Sequence, residues 1–492
     1  NMLAHPNVPS VMRDRFHAMA QTSQRFDLCL LESLVAGFDA GGDVRGTTSA
    51  MIKVVYPNAL PLDLRVDDHT DPIAELQRLY GMTRDPEYRT FFDRLPTRHS
   101  QPGPGVTRLF LNGEHRAVTP LIRDWMTKAG LTSEIDAAGN IVGRDAKALS
   151  GAPTLILGSH QDTVVSGGKY DGMLGVALPI AVIEYLLKTG VELPFGIEVV
   201  AFGDEEGTRF QSTLVGSRAL AGTFDPKALH ATDDQGITVA DALKAFGCNP
   251  DDIPTLKRDR KNVLGFVEVH IEQGPVLEKI DLPVGVVTAL TGIERHRVRI
   301  QGKASHAGTT PMRDRHDALV AAADVIHQVE GICSATEGMV GVVGKIDVTP
   351  NAVNVIPDHV DLTIELRAPE RIVRVNGRGQ ILSALPNIAR NRRVEISADQ
   401  TYEAEGVKCA DWIMNGLGQA IGEQGITPHR LFSGAGHDGL AMHDLCDIGM
   451  LFVRCRDGLS HHPDEAITPE DADVAAAVLI NFLQMVGPMK GL

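Results

Sequence analysis

The chain has 492 residues, a length that corresponds to about three domains. Its 47 Lys and Arg residues against 63 Asp and Glu give a net charge of −16, which argues against the basic faces that nucleic-acid-binding proteins need. Six cysteines without a C-x-x-C pair exclude a disulfide scaffold, and no apolar run approaches the roughly 18 residues of a membrane span. We therefore expect a cytoplasmic protein that binds neither nucleic acid nor a membrane.

The first 95 residues follow a different pattern from the rest of the chain. They predict a helix from Leu28 to Phe38, a strand from Ala50 to Val55 and a further helix that begins after Asp71-Pro72. Residues 96–105 are rich in proline and glycine and lack hydrophobic periodicity, which is typical of a linker. We therefore expect a partial N-terminal domain of unknown function over residues 1–95.

From residue 106 onward, apolar strands alternate with helices. The pattern predicts helices over 117–129 and 173–188 and strands over 140–143, 154–157, 197–202, 266–270 and 450–453. Pro179 is expected to kink or delay the second helix. This alternation predicts an α/β fold with a mostly parallel sheet covered on both faces, in one domain whose two parts are 106–290 and 405–492.

Residues 291–404, which lie between these two parts, have another order of elements. They predict a strand, a helix, two strands, a helix and a strand, over 296–301, 314–329, 339–347, 359–366, 370–390 and 393–398. This βαββαβ order is that of a ferredoxin-like domain. We therefore expect a ferredoxin-like domain inserted into the larger α/β domain.

Residues with metal-binding side chains follow the predicted strands of the larger domain. His160 and Asp162 come directly after strand 154–157, and Asp171 lies on a glycine-flanked loop close behind them. The further candidates at strand ends are Glu205, Glu206, His270 and either His461 or His462. Ligands of open α/β sheets bind at the carboxyl ends of the strands, which predicts a site there. Asp162 is placed to accept the second imidazole N–H of His160.

The candidate ligands are imidazoles and carboxylates without a thiolate, a set that suits Zn, Mn, Co or Ni. Five ligands are too many for one catalytic zinc and fit two divalent ions that share a carboxylate, for which Asp171 is best placed. The adjacent Glu205 and Glu206 cannot both point the same way from an extended stretch. One is therefore expected to bind metal and the other to act as general base on the attacking water.

Nine short stretches of the sequence, in order, resemble the metal-dependent amidohydrolases of the M20 class. They are GSHQDTV, YDG, DEEGTRF, EVHIEQGP, SHAGTTPM, NVIP, ELRAP, GAGHD and LSHHPDEAI. The branch that they resemble comprises N-carbamoyl-L-amino-acid hydrolases, allantoate amidohydrolases and β-ureidopropionases. The resemblance implies a binuclear enzyme that cleaves a ureido C–N bond and releases ammonia and carbon dioxide.

The resemblance also implies individual roles in the site. The implied metal ligands are His160, Asp171, Glu206, His270 and His461, with Asp171 shared between two Zn or Mn ions. Glu205 is then the general base. The family pattern Ser-His-x-Pro-x-Glu selects His461 rather than His462.

The inserted domain resembles the lid and dimerisation domain of the same enzymes. This implies that His306 enters the active site of a neighbouring subunit in a homodimer and stabilises the oxyanion there. The implied contacts to the carboxylate or ureido group of a small substrate are Arg295, Asn354 and Arg367, with Gln273 and His437 as further candidates. Beside them, Glu294 departs from the more basic segment of allantoate-type enzymes and bears on substrate choice.

Two other interpretations of the chain stay open at this point. The catalytic domain could be that of a dipeptidase or aminoacylase of the same class, or that of a catalytically silent scaffold protein that metal ions stabilise.

In the N-terminal segment, the stretches GGDVRG and DLRVDDHTDP resemble the C-terminal part of a bacterial family of unknown function with an Ntn-hydrolase-like fold. We assign no activity to residues 1–95.

Overall fold

The computed structural model of the protein describes residues 97–492. The strands are β1 Thr132–Ile135, β2 Ile141–Arg144, β3 Thr154–His160, β4 Gly196–Phe202, β5 Val263–Ile271, β6 Val284–Leu290, β7 Gly292–Gln301, β8 Ser305–His306, β9 Val340–Thr349, β10 Val355–Ile356, β11 His359–Ala368, β12 Glu395–Ala404, β13 Val407–Lys408, β14 Arg430–Ser433 and β15 Ile448–Val453. The helices and strand predicted within residues 1–95 lie outside the described residues.

The α-helices, like the strands, are numbered in chain order. They are α1 Gly113–Lys128, α2 Ala146–Leu149, α3 Met173–Lys188, α4 Val215–Ala221, α5 Val239–Phe246, α6 Val276–Lys279, α7 Ala318–Ala335, α8 Arg371–Arg392, α9 Asp411–Glu423, α10 Gly439–Met442 and α11 Pro469–Lys490. Short 3₁₀ helices cover Pro226–His230, Pro250–Leu256, Arg260–Asn262, Met312–Asp314 and Arg456–Gly458.

The larger domain is built on a nine-stranded sheet that contains both parallel and antiparallel pairs. Along it the strands run in the order β1-β2-β4-β3-β5-β15-β6-β13, and β14 pairs with β6. The four central strands β4, β3, β5 and β15 are mutually parallel, whereas β1, β2, β6 and β13 pair antiparallel with their neighbours on that path. The expectation of a mostly parallel sheet is therefore wrong, and the sheet is mixed.

The mixture follows from how the strands are connected. β1 and β2 are joined by the tight turn at Asp136, whose carboxylate accepts the N–H groups of Ala138 and Asn140 at 2.9 and 3.0 Å, and such a hairpin must be antiparallel. β3 and β4 are joined by helix α3, a crossover that returns the chain in the same direction. The parallel centre therefore arises where helices separate the strands.

Helix α3 runs without interruption from Met173 to Lys188, so Pro179 does not delay its start. Twelve of its sixteen residues are buried, and the helix packs on β3 and β5. Because most of its residues are buried, the helix is apolar on nearly every face. The helix begins directly after Gly172, and it thereby fixes where the preceding loop ends.

The segment of residues 292–404 corresponds to the predicted inserted domain. Apart from the two-residue strands β8 and β10, which pair with each other, its elements follow the predicted βαββαβ order. Its antiparallel sheet has the strand order β12-β7-β11-β9, with α7 and α8 against one face. Strand β11 alternates strictly between half-buried and buried residues, and its buried side chains contribute to a core with those of α7 and α8. The other face of the sheet carries mainly charged side chains.

Helices α7 and α11 are long and apolar enough to cross a membrane by length and composition alone. In α11, 61% of the apolar window is buried, with Leu479, Phe482 and Leu483 inside the core of the larger domain. In α7, 33% of the apolar window is buried, and Ala321 and Val325 lie beneath the four-stranded sheet. Core helices that pack on a sheet meet the same criterion, so the two helices are no argument for a membrane span.

Candidate metal centre

Most of the predicted ligands come from the ends of the parallel central strands. His160 is the last residue of β3, His270 lies one residue before the end of β5, and Glu205 and Glu206 follow β4. Because β4, β3 and β5 are neighbours and parallel, their carboxyl ends meet at one edge of the sheet. His461 reaches the same place from the segment that follows β15.

Asp171 lies at the centre of this cluster. Its Oδ1 is 3.2 Å from Nε2 of His160 and 3.3 Å from Nε2 of His270, and its Oδ2 is 3.6 Å from Nε2 of His461. Oε1 of Glu206 lies 3.6 Å from the same nitrogen of His461. The two carboxylate oxygens of Asp171 thus face two different ligand groups, namely His160 with His270 and Glu206 with His461.

The loop that carries Asp171 approaches His160 closely because Gly172 follows it. Gly172 has φ +68°, and a Cβ at this position would lie 2.4 Å from the imidazole of His160. A larger residue would be both strained in this conformation and in collision with the ring. The loop therefore depends on glycine at this position.

The imidazoles are oriented by backbone carbonyl groups. Nδ1 of His160 is 2.9 Å from the carbonyl oxygen of Asp162, and Nδ1 of His270 is 2.8 Å from that of Ile271. A ring that donates its Nδ1–H to a carbonyl presents the Nε2 lone pair to a metal ion. The carboxylate of Asp162 was predicted to make this contact, and that detail is wrong.

The Asp162 carboxylate instead holds the loop that bears the two glutamates. Its two oxygens accept the backbone N–H groups of Glu205 and Glu206, each at 3.2 Å. The chain bends here, with Asp204 at φ +63°, so the stretch is not extended as expected. Both glutamate side chains consequently reach the cluster, where Oε2 of Glu205 is 3.9 Å from Nε2 of His160.

The electrostatics of the cluster depend on burial and on the crowding of charges. Burial raises the pKa of Glu206 to about 8, and Asp171 adds to the shift. Burial likewise raises the pKa of Glu205 well above its usual value. For Asp171, burial acts in the same direction, but His270 and His160 outweigh it and hold the pKa well below the usual range. In this cluster, Glu205 and Glu206 therefore bind a proton more readily than an exposed glutamate does, whereas Asp171 resists protonation.

These residues fit two divalent cations. The donors are nitrogen and oxygen atoms of the kind that Zn and Mn bind, and they fall into two groups that share Asp171. Among the described residues, the buried Oε1 atom of Glu206 has no hydrogen-bond donor, which is the state of an oxygen available to a metal. Cations here would also relieve the repulsion that raises the pKa of Glu206.

Two of the candidates for substrate contact, His437 and Gln273, lie directly beside the metal cluster. His437 is buried, with its ring 4.6 Å from that of His270 and its Nε2 2.7 Å from Oγ of Ser433. Gln273 was expected to contact substrate, but its Nε2 donates to Oδ2 of Asp171 at 2.7 Å. It therefore orients the shared ligand.

The two arginine candidates share one acidic partner on the charged face of the inserted domain. Glu365 accepts from Nε of Arg295 at 2.5 Å and from Nε of Arg367 at 2.8 Å. Nη1 of Arg367 also donates to the carbonyl oxygen of Gly434, at 2.7 Å, in the loop that leads to His437. Arg367 therefore contacts the loop that carries His437, which lies beside the metal cluster. Arg295 lies over the ring of Tyr402.

His306 and Asn354 are exposed and lie together on the small β8–β10 ladder. The carbonyl oxygen of Asn354 accepts the N–H of Ala307 at 3.0 Å. Within residues 97–492, neither side chain is hydrogen bonded to a residue of the metal cluster. The structure therefore brings the five predicted ligands and Glu205 together but leaves this pair apart from them.

Glu294 faces away from the charged surface. It is buried beneath the lid sheet, where its Oε2 is 3.1 Å from Nη1 of Arg378 and its Oε1 is 3.7 Å from Nε of Arg374. Glu294 thus belongs to a buried ion cluster between strand β7 and helix α8, and its effect on substrate choice stays a prediction.

Two buried acids near the cluster were missed in the sequence. Glu268 accepts from Oγ of Ser159 at 2.6 Å and groups with His270 and His437. Its position two residues before His270 on β5 puts both on one face of the strand, a signal that was available. Glu465 contacts the Asp171 loop. It is the last residue of the Ser-His-x-Pro-x-Glu pattern, but no role was predicted for it.

Comparisons with known proteins agree with this geometry. Residues 156–485 match the model of peptidase family M20/M25/M40, and residues 1–76 match a family of unknown function (DUF1028). An N-carbamoyl-L-amino acid amidohydrolase of Geobacillus stearothermophilus is 42% identical over 379 residues, which cover 77% of this chain and 93% of the relative. An allantoate deiminase of Arabidopsis thaliana is 38% identical, with 77% and 78% covered.

The solved structures that resemble this chain include a hydantoinase/carbamoylase family amidase from Burkholderia multivorans. It superposes with a TM-score of 0.75 at 31% identity and covers 81% of this chain and 96% of its own. These matches confirm the relationship that the nine stretches predicted. The chain therefore belongs to peptidase family M20/M25/M40, a family of metal-dependent hydrolases.

Proposed function

We propose that the protein is a binuclear-metal amidohydrolase that cleaves the ureido C–N bond of an N-carbamoyl-L-amino acid or of allantoate. The observation that carries the proposal is the position of Asp171, whose two oxygens face two ligand groups while Glu205 lies beside them. The substrate class comes from the relatives, which are named for these two activities. We place the enzyme in the cytoplasm.

Five residues would hold the two ions, namely His160, His270, Glu206 and His461 with Asp171 between them. When bound, such ions polarise a carbonyl group and lower the pKa of a water molecule. Glu205 is a carboxylate next to the ligands, and it takes the proton of the attacking water as general base. It then returns that proton to the leaving nitrogen, so that water adds across the C–N bond. Cleavage of this one bond leaves a carbamate, whose remaining C–N bond breaks spontaneously, so the final products are an amine-bearing acid, ammonia and carbon dioxide.

Arg367 and Arg295 would bind the substrate carboxylate. A guanidinium group presents two parallel N–H donors to a carboxylate, which matches the substrate class. Glu365 already spans both arginines, so it holds them in place before substrate binds. The tie between Arg367 and Gly434 keeps this anion site near His437 and the metal ligands.

We further propose a homodimer in which His306 and Asn354 act on the site of the partner subunit. Their exposure and their common ladder support this arrangement, because one surface carries both side chains. The outer strand β9 of the lid sheet also exposes the apolar Val340, Val342 and Ile346. Sedimentation equilibrium of the metal-loaded protein tests the dimer, and a monomer at assay concentration contradicts it.

The experiment that tests the reaction is ammonia release by the purified chain, stripped of metal and reloaded with Mn or Zn. The substrates are allantoate, several N-carbamoyl-L-amino acids and N-carbamoyl-β-alanine, with a dipeptide scored for amine release. We expect turnover of at least one ureido acid and its loss on chelation. Turnover of the dipeptide alone would indicate a peptidase, and a metal-loaded protein that is silent on every substrate would contradict the proposal.

A further inference from the structure

The shared ligand Asp171 is held by a segment almost 300 residues further along the chain. Residues 460–465, which we term the C-terminal strap, supply the ligand His461 and also the buried Glu465. Only 4% of Glu465 is exposed. A buried carboxylate must find partners in the protein, and those of Glu465 lie in the Asp171 loop.

Oε1 of Glu465 accepts two backbone N–H groups of that loop. They belong to Tyr170, at 2.8 Å, and to Asp171 itself, at 3.0 Å. Its other oxygen, Oε2, lies 3.2 Å from Oγ of Ser460, and Ser460 donates to Oδ2 of Asp171. The strap therefore fixes both the backbone and the carboxylate of the shared ligand.

The loop is shaped to receive this side chain. A Cβ on Gly168 would lie 2.1 Å from Cδ of Glu465, so a side chain at position 168 and the carboxyl group of Glu465 cannot occupy their places together. The absence of a side chain at Gly168 leaves the space that the carboxyl group fills. The hydrogen bonds of Glu465 and the space beside Gly168 thus both place the Glu465 carboxyl group against the Asp171 loop.

We propose that Glu465 is a positioning residue that sets the orientation of Asp171 and thereby the metal affinity of the centre. The proposal rests on the ligand assignment given above. Because the strap also carries His461, it links the ligand group of His160 and His270 to that of Glu206 and His461 through Asp171. Partners that orient a ligand are worth 10- to 100-fold in metal affinity, on the order of the change expected here.

The test compares three variants of the full chain, with bound Co²⁺ as the probe. Metal per chain, dissociation constants and the visible spectrum of Co²⁺ are measured together with the melting temperature of the metal-free proteins. We expect Glu465→Ala to weaken Co²⁺ binding about 10- to 100-fold and to change the spectrum. Glu465→Gln should recover most of the affinity, because its amide oxygen can accept the same two N–H groups.

Gly168→Ala approaches the same contact from the other side. The added Cβ displaces the carboxyl group of Glu465, so this variant should resemble Glu465→Ala in metal affinity. A matched control is Asp136→Ala, which removes another buried carboxylate that accepts two backbone N–H groups, in the β1–β2 turn. The control should lower the melting temperature and leave Co²⁺ affinity at the parent level.

Parent-level Co²⁺ affinity in Glu465→Ala overturns the proposal, and so does an equal loss of affinity in Asp136→Ala. A parent chain that binds no divalent ion overturns it as well. A parent that binds two ions but hydrolyses no ureido acid contradicts the proposed function alone, because the affinity differences among the variants do not depend on turnover.

Discussion

Arg367 uses three nitrogen atoms in ways that a lysine cannot reproduce. Nε and Nη2 contact Oε1 of Glu365 at 2.8 and 2.7 Å, while Nη1 reaches the carbonyl oxygen of Gly434. An ammonium group is a point charge without this planar fork. These contacts hold the positively charged guanidinium group of Arg367 in one orientation, which the proposed substrate carboxylate would meet.

We predict that Arg367→Lys lowers kcat/KM for the ureido substrate about 10- to 100-fold, since hydrogen bonds to charged groups contribute roughly 1.5–3 kcal/mol. The loss should appear mainly in KM, because the interaction binds the ground state. Arg297→Lys is the matched control, on the same face of the sheet and paired with Asp361. Steady-state kinetics check this, and an equal effect of both substitutions would contradict the assigned role.

The sequence predicted that the imidazole and carboxylate side chains of the candidate metal centre come together, because each follows a strand or a glycine turn, and the structure brings them into one cluster. Their finer contacts could not be predicted. Asp162 was placed correctly near His160, yet its carbonyl makes the contact, a choice that depends on the exact course of the backbone. The contacts of Gln273 with Asp171 and of Glu294 with Arg378 could not be predicted, because side-chain direction at the end of a strand depends on packing between distant segments.

At the scale of single elements, helix α1 is fixed at its start by a buried histidine. His115 packs between the rings of Phe110 and Phe246, and its Nδ1 accepts the N–H of Leu111 at 2.9 Å. Burial lowers the pKa of His115 to about 3, and the nearby Arg108, Arg116 and Arg209 add to the shift. The folded protein therefore keeps this ring neutral.

This shift predicts a loss of stability in mild acid. The unfolded chain takes up the proton near pH 6.5, whereas the folded chain resists it down to about pH 3, so stability is complete above pH 6.5 and falls as the pH drops. Between pH 7 and pH 5 the contribution of His115 should fall by about 2 kcal/mol. Denaturant titrations of the parent and of His115→Gln measure it, as the difference between their unfolding free energies at each pH.

A difference between the two proteins that stays constant from pH 7 to pH 5 would contradict the assignment of that slope to His115. The substitution to Gln retains a group that can accept the N–H of Leu111, which limits its other effects. The comparison is needed because the buried carboxylates of the metal cluster also titrate. Their contribution cancels between parent and variant.

Element types were predicted correctly for long elements such as α3, a continuous apolar run, and β11, which alternates between apolar and polar residues. In the nine-stranded sheet, strands β1, β6, β13 and β14 were not predicted. Three of these four have only two to four residues, too few to show a period, and their pairing is decided by the neighbours that they meet in the sheet. The mixed sheet follows from these flanking strands, so the sheet's parallel centre was predictable and its edges were not.

At the scale of the whole molecule, the proposed mechanism divides the chemistry between the large sheet and the inserted domain. The sheet supplies the ligands and Glu205, whereas the inserted domain supplies the charged face with Arg295 and Arg367 and the exposed His306. An M20 enzyme built in this way requires the two domains to approach each other, and by our proposal a second subunit as well.

The central claim is that Glu205 moves the proton while Glu206 holds a metal ion. The most direct measurement determines bound metal and ureido hydrolysis side by side in Glu205→Gln and Glu206→Gln. We predict that Glu205→Gln keeps the metal content of the parent and loses about 10²- to 10⁴-fold in kcat, whereas Glu206→Gln loses metal as well. A Glu205→Gln variant as active as the parent, or one that loses its metal while Glu206→Gln keeps it, would contradict the account.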